Sequence, residues 1–283
     1  MTTATLTPTR PLVASAATPR VRALPVLTAR RLALTVRSPR ALLVPLLGPV
    51  MFAMVVAPAL ANTVSSPAGH ARYMTFVSLA TAGLLIPLNC LLFGLGVLVD
   101  RRSGAMRELL VAPIRRQSIV LGNLVAALAV TALQIAVLIG AAALRGATFV
   151  TSSRVLWFLA GGALLVVVMY SLAEVLSIRL GSPEEYTGSL PVFAIVPFFF
   201  AGSLYPITSL PHWLADAAKV LPLTHALALF RYGLTTQGGQ ALHNIWGMTN
   251  DTAMALLSLA VLAAYAVAAL AGAVRLFTKT CTS

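Results

Sequence analysis

Residues 119–144 read IVLGNLVAALAVTALQIAVLIGAAAL, 26 residues without a charged side chain. As an α-helix at 1.5 Å per residue this run reaches about 39 Å, more than the ~30 Å of hydrocarbon in a bilayer. A helix pairs all its own backbone groups, which lipid demands, so the run is read as a membrane crossing. Outward from it, comparable apolar stretches fall at 41–61, 73–99, 155–178, 189–207 and 253–274. The expectation is an all-α, multi-pass membrane protein with six transmembrane helices. Composition agrees: of 283 residues 59% are apolar and 10% charged, against about 25% charged in soluble domains, and mean hydropathy is +0.91. A net charge of +13 would suggest nucleic acid in a soluble chain. In a chain this apolar it is confined to the connecting segments, so no nucleic-acid partner is expected.

The basic residues sort to one side. The first 40 residues hold seven arginines, and the connection 100–118 holds Arg101, Arg102, Arg107, Arg115 and Arg116. Arg179, Arg275 and Lys279 lie on the same side, which leaves Arg72, Arg145, Arg154, Lys219 and Arg231 on the other. The positive-inside rule then puts both termini in the cytoplasm, with the chain in the inner (plasma) membrane. The expected division is a cytoplasmic tail, 1–40, followed by a six-span domain, 41–283. The apolar run from 41 is too long, and its basic flank too extended, for a cleaved signal peptide. Residues 1–19, rich in Thr, Ala and Pro, are expected to be disordered. Leu24, Leu27, Arg31 and Leu34 fit either a short helix on the inner membrane surface or a solvated basic tail.

Prolines at 45, 49, 58, 87, 191, 197 and 206 break or flank the crossings. Such breaks favour a bundle that moves or encloses a path. Cys90 and Cys281 give no disulfide framework, and His70, His212, His225 and His243 lack metal-ligand spacing.

Two connecting segments are informative. In the first, Asp100–Arg116, Met106, Leu109, Leu110 and Pro113 recur at i, i+3, i+4 and i+7, with Arg107 and Glu108 on other faces. A short amphipathic helix presenting an apolar ridge to the cytoplasm is one reading, open to a groove on a soluble partner. The other is a helix flat on anionic headgroups. In the second, Leu210, Trp213, Leu214, Ala217 and Leu221 line one face of a helix expected over 208–222, with Pro211 in its first turn and Pro222 closing it. About 11 residues cannot cross a bilayer, so this helix is expected to lie in the outer interface or re-enter partway, with Trp213 at headgroup depth.

The first segment runs acidic-Arg-x-x-Gly, then Leu-Leu-x-x-Pro and a basic pair, directly after the second crossing. The second runs Phe-x-x-Gly-x-x-Tyr-Pro, Leu-Pro-x-Trp-Leu and Leu-Pro-Leu-Thr-x-Ala, with Arg231 following. Both resemble ABC type-2 exporter permeases, in particular drug and polyketide-type exporters, the daunorubicin-resistance permeases among them. The resemblance implies a permease subunit with a cytoplasmic coupling helix, engaged by two copies of a separate ABC ATPase that binds ATP and Mg. It implies that Arg102, Gly104, Met106, Arg107, Glu108, Leu109, Leu110 and Pro113 form the coupling segment. It implies an external gate at Gly202, Tyr205, Pro206, Pro211, Trp213 and Leu214. A second permease subunit, identical or homologous, would complete a path for hydrophobic antibiotics or lipids moving outward.

The chain itself has no Gly-x-x-x-x-Gly-Lys-Ser/Thr phosphate cradle and no Gly-x-Ser-x-Gly elbow, so it is expected to be neither motor nor enzyme, and to carry no cofactor or metal. Glu174, Asn89 and Gln134 are polar side chains inside apolar runs. Glu174 is expected to close a structural network toward Arg179, with a proton-coupled secondary transporter as the rival reading. Asn89 and Gln134 are expected to hydrogen-bond between helices.

Overall fold

The computed structural model describes residues 23–56, 58–59, 66–112 and 114–280. Residues 1–22, and with them the expected disordered stretch, lie outside the described residues. Among the described residues all regular structure is helical. Helix α1 (Ala23–Val36) leads into α2 (Pro39–Met51), which continues as a π turn, Phe52–Val56. Then come α3 (Pro67–Arg102), the short α4 (Ala105–Val111), α5 (Arg116–Leu144) and α6 (Val155–Arg179). A broken rod follows: α7 (Pro183–Leu190), a π turn (Pro191–Ile195) and α8 (Val196–Phe200). After a 3-10 turn (Ile207–Ser209) the chain ends in α9 (His212–Val220), α10 (Pro222–Leu234), α11 (Gly239–Trp246) and α12 (Asp251–Thr280).

Among the described residues four helices are long and apolar enough to cross a membrane: α3 from Gly69, α5, α6 and α12. Helix α6 is the centre, packed by α3, α10 and α12, while α5 packs on α3 and α1. Leu165, Tyr170, Ala173 and Glu174 of α6 are completely buried. Two expected crossings take a different form. The first, placed at 41–61, is helical from Pro39 and widens to the π turn just beyond Pro49; proline supplies no amide to the preceding turn, and a π turn absorbs the misfit. The fifth, placed at 189–207, starts earlier at Pro183 and stops at Phe200. Its start is fixed by Ser182, whose Oγ accepts from the Glu185 amide at 3.1 Å, with Pro183 in the first turn. Pro191 and Pro197 bracket its π turn.

The end of the bundle that carries α1, α4 and the junction of α6 with α7 is the basic end. The opposite end holds the α5–α6 connection and residues 201–211.

Candidate functional site

Helix α3 ends at the basic end in Asp100, Arg101 and Arg102, and each side chain holds another part of the bundle. Asp100 Oδ2 accepts from Arg31 Nη1 of α1 at 3.0 Å. Arg101 donates to the Ser177 carbonyl at 2.7 Å and Arg102 to the Gly181 carbonyl at 2.6 Å, both at the end of α6. Arg31 itself is buried against α3, where Nη2 donates to the Phe93 carbonyl at 2.9 Å and the guanidinium lies 5.7 Å from the Phe93 ring centre. A Cβ at Gly96 would collide with that guanidinium, so the missing side chain makes room for it. Helix α1 therefore docks into the bundle through Arg31 and Leu27 rather than lying free on a surface, because Asp100 and the Phe93 carbonyl supply what lipid cannot.

Past this clamp Gly104 adopts φ +84°, a left-handed conformation that a side chain makes costly, and the chain turns into α4. Met106 is buried, and Leu109 and Leu110 are half-buried against the same core. The apolar ridge expected to face the cytoplasm faces the bundle, since covering the end of α3 removes it from water. What points away is Arg107, Glu108 and Val111, the last 86% exposed. Neither charged side chain has a partner among the described residues. Pro113 lies outside the described residues.

Glu174 is fully buried, and its Oε2 accepts from the Tyr170 hydroxyl at 2.7 Å. Its Oε1 has no hydrogen-bond partner among the described residues. Arg179, the expected partner, is exposed and does not pair with it. Tyr170 precedes Glu174 by one turn and shares its face, whereas a residue five positions on is rotated by about 140°. Asn89 Nδ2 donates to Thr131 Oγ1 of α5, and Gln134 Nε2 to the Leu42 carbonyl of α2 at 2.8 Å, so both side chains bridge helices.

At the opposite end the chain leaves α8 through Gly202, at φ +75°. Arg231 of α10 closes this turn, with Nη2 donating to the Gly202 and Ser203 carbonyls at 2.8 and 3.0 Å and its guanidinium 4.0 Å from the Phe76 ring centre. Tyr205 donates to the Phe199 carbonyl at 2.9 Å, and Pro206 precedes the 3-10 turn. Pro211 caps α9, on which Trp213 is 73% exposed and Leu214 half-buried. Helix α9 ends at Val220, with Leu221 extended ahead of Pro222, and Pro222 also opens α10, so α9 and α10 form a hairpin.

The tip of this hairpin is held by side chains. At the end of α9 the carbonyls of Ala218, Lys219 and Val220 accept from Thr224 Oγ1 at 2.6 Å, His225 Nε2 at 2.9 Å and Tyr265 Oη at 2.9 Å, that of Ala218 also taking the Leu221 amide at 3.1 Å. With Nε2 donating, His225 Nδ1 accepts from Ser258 Oγ at 3.3 Å, and Ser258 in turn accepts from Trp246 Nε1 at 2.8 Å. Tyr265 lies about 21 Å along α12, which sets the depth of the tip. Helix α10 then returns to the opposite end, where the Leu234 carbonyl accepts from the Val150 amide at 2.9 Å. Sequence reasoning did not single out Tyr170, Ser258 or Tyr265, and it named Arg31 only as part of a surface helix or basic tail and His225 only as lacking metal-ligand spacing. Tyr170 alone carried a local signal, its spacing of four from Glu174.

A family model described as ABC-2 type transporter matches residues 22–235, from the start of α1 through α10. The chain belongs to the ABC-2 type transporter family. It is therefore a multi-pass membrane permease, and members of this family are permease subunits that lack a catalytic nucleotide-binding site and generally work with an ATPase partner in the bilayer. No curated protein matches the sequence significantly. Within this ABC-2 permease, the matched range contains both the Asp100–Val111 segment and the α9–α10 hairpin.

Proposed function

We propose that this ABC-2 permease is the transmembrane half of an ATP-driven exporter of the daunorubicin-resistance kind, moving hydrophobic antibiotics or lipids out of the cell. One observation carries the reading. The segment Asp100–Val111 is fastened to α1 and to the end of α6 through Asp100, Arg101 and Arg102, yet among the described residues Arg107 and Glu108 have no side-chain partner and Val111 is exposed. Two copies of a separate ATPase, holding ATP and Mg, engage that outward face. A displacement of α4 then moves α1, α3 and α6 together, which a free loop could not achieve.

In this reading the basic end is cytoplasmic with both termini, and the membrane is the inner (plasma) membrane. The Pro39–Val56 and Pro183–Phe200 segments supply the first and fifth of six crossings. The α9–α10 hairpin re-enters from outside and, with Gly202, Tyr205 and Pro206, gates the exit. A second permease subunit, identical or homologous, completes the path. The exposed Asp216–Lys219 pair on α9, 2.9 Å apart, supports a polar rather than a lipid neighbour for that face.

The test is co-purification of the ATPase from membranes with the double variant Arg107→Glu, Val111→Asp. Retention is expected to fall about tenfold, as for a disrupted interface centre; normal retention contradicts the reading. The uncommitted Oε1 of Glu174 favours one rival, proton-coupled transport. If Glu174→Gln abolishes transport, and wild-type transport survives ATP depletion while the proton gradient is kept, the rival stands instead.

A further inference from the structure

A cavity of about 580 Å³ opens at the end opposite the basic one, between the start of α3, the α5–α6 connection, the 206–208 turn and α11. Its size is that of a small-molecule site. Two arginines, Arg72 and Arg231, line it, and among the described residues no Asp or Glu does. Asp251 lines an adjoining hollow with Gln237 and Gln240 and is not part of this one. Arg231 is bound by carbonyl oxygens and an aromatic face, none of which carries a full negative charge, and its Nε is buried without a hydrogen-bond partner. A guanidinium at the cavity wall with no counter-ion among the described residues leaves a positive potential over the cavity.

The polar side chains around it are equally uncommitted. Arg72 is exposed, and the amides of Gln237, Gln240 and Asn244 line the same space. None of these four side chains has a hydrogen bond or ion pair among the described residues. This is a wall of donors, with fixed charge of one sign. We propose that the cavity binds a phosphate ester, with Arg72 and Arg231 facing the oxyanion and the three amides facing its polar body. The chemistry is shared by a soluble phosphate ester and by the headgroup of an anionic lipid.

The inference does not rest on ATP-driven export. It concerns binding by the isolated chain, so its failure and failure of ATPase docking are separate results. The full chain, purified in a neutral detergent, is titrated with glycerol 3-phosphate and, at matched ionic strength, with glycerol plus sodium chloride, and the melting temperature is read. In parallel, the chain in nanodiscs of phosphatidylcholine is compared with nanodiscs containing phosphatidylglycerol. Saturable stabilisation by glycerol 3-phosphate identifies a soluble ester; stabilisation by phosphatidylglycerol alone identifies a lipid headgroup. In either case Arg72→Gln is expected to weaken the effect about tenfold, the size of one charge-assisted contact, and Gln240→Leu to weaken it less. Both substitutions alter side chains without partners, so the unliganded protein folds as before. The proposal is overturned if neither probe stabilises the chain, if glycerol does so as well as its phosphate, or if Arg72→Gln leaves the response unchanged.

Discussion

At the basic end of the molecule Arg31, Arg101 and Arg102 are each committed to a named acceptor, Asp100, Ser177 or Gly181. At the other end Arg72, Gln237, Gln240 and Asn244 line a cavity and hold nothing. The same residue types thus serve two purposes. Where a buried guanidinium such as that of Arg31 is tied to a carboxylate on another helix, a displacement at one helix is carried to the next, because breaking the contact would strand a charge. Where donors are unmatched, the protein has a surface for something it does not itself contain.

The largest effect should come from attacking the matched end. Asp100→Ala leaves Arg31 buried without its carboxylate and is expected to cost about 3 kcal/mol, read as a lower melting temperature in detergent. The double variant Arg31→Met, Asp100→Leu should recover most of that loss. If Asp100→Ala melts like the wild type, the clamp bears no weight. Tyr170→Phe comes next. It strips the hydroxyl from a buried carboxylate at a cost of about 2 kcal/mol, whereas Glu174→Gln, which needs less solvation, should melt closer to the wild type.

Gly104→Val forces a branched side chain into the left-handed region, costing about 1–2 kcal/mol. ATP-driven transport should fall by more than that loss of stability explains, because α4 is re-aimed; transport that tracks stability alone would remove the special role of this turn. Tyr265→Phe frees the Val220 carbonyl at the hairpin tip for about 0.6 kcal/mol, the usual size for an interhelical hydrogen bond in lipid, checked by hydrogen exchange of the α9 amides. Arg72→Gln, at the unmatched end, should change unliganded stability by less than about 0.5 kcal/mol. A larger loss there would erase the contrast between the two ends.

The sequence made the bulk of this architecture legible. Runs such as 119–144 had to be helices, and the spacing of Met106, Leu109 and Leu110 announced α4. Which way α4 faces was not legible, because a periodic pattern defines an apolar face and not what covers it. The start of the Pro183–Phe200 rod was written in Ser182, Pro183, Glu184 and Glu185, a helix-opening pattern masked by the expectation of a loop. Glu174 stood out by its depth, but Arg179 was the wrong partner, since five positions round a helix is the wrong side. Arg31 and Asp100 are 69 residues apart, and nothing local links them. The cavity was invisible for the same reason: Arg72, at the start of α3, meets Arg231 and Gln240 of α10 and α11 only when distant parts of the chain converge.

The outward face of α4 is tested most directly by cross-linking. Val111→Cys and, separately, Trp213→Cys are placed in a Cys281→Ser background and reacted in native membranes with a short thiol-to-amine cross-linker. The account predicts a covalent adduct with the ATPase from position 111 and none from position 213. An ATPase adduct from 213, or labelling of 111 in intact cells by a reagent that cannot cross the membrane, would contradict it.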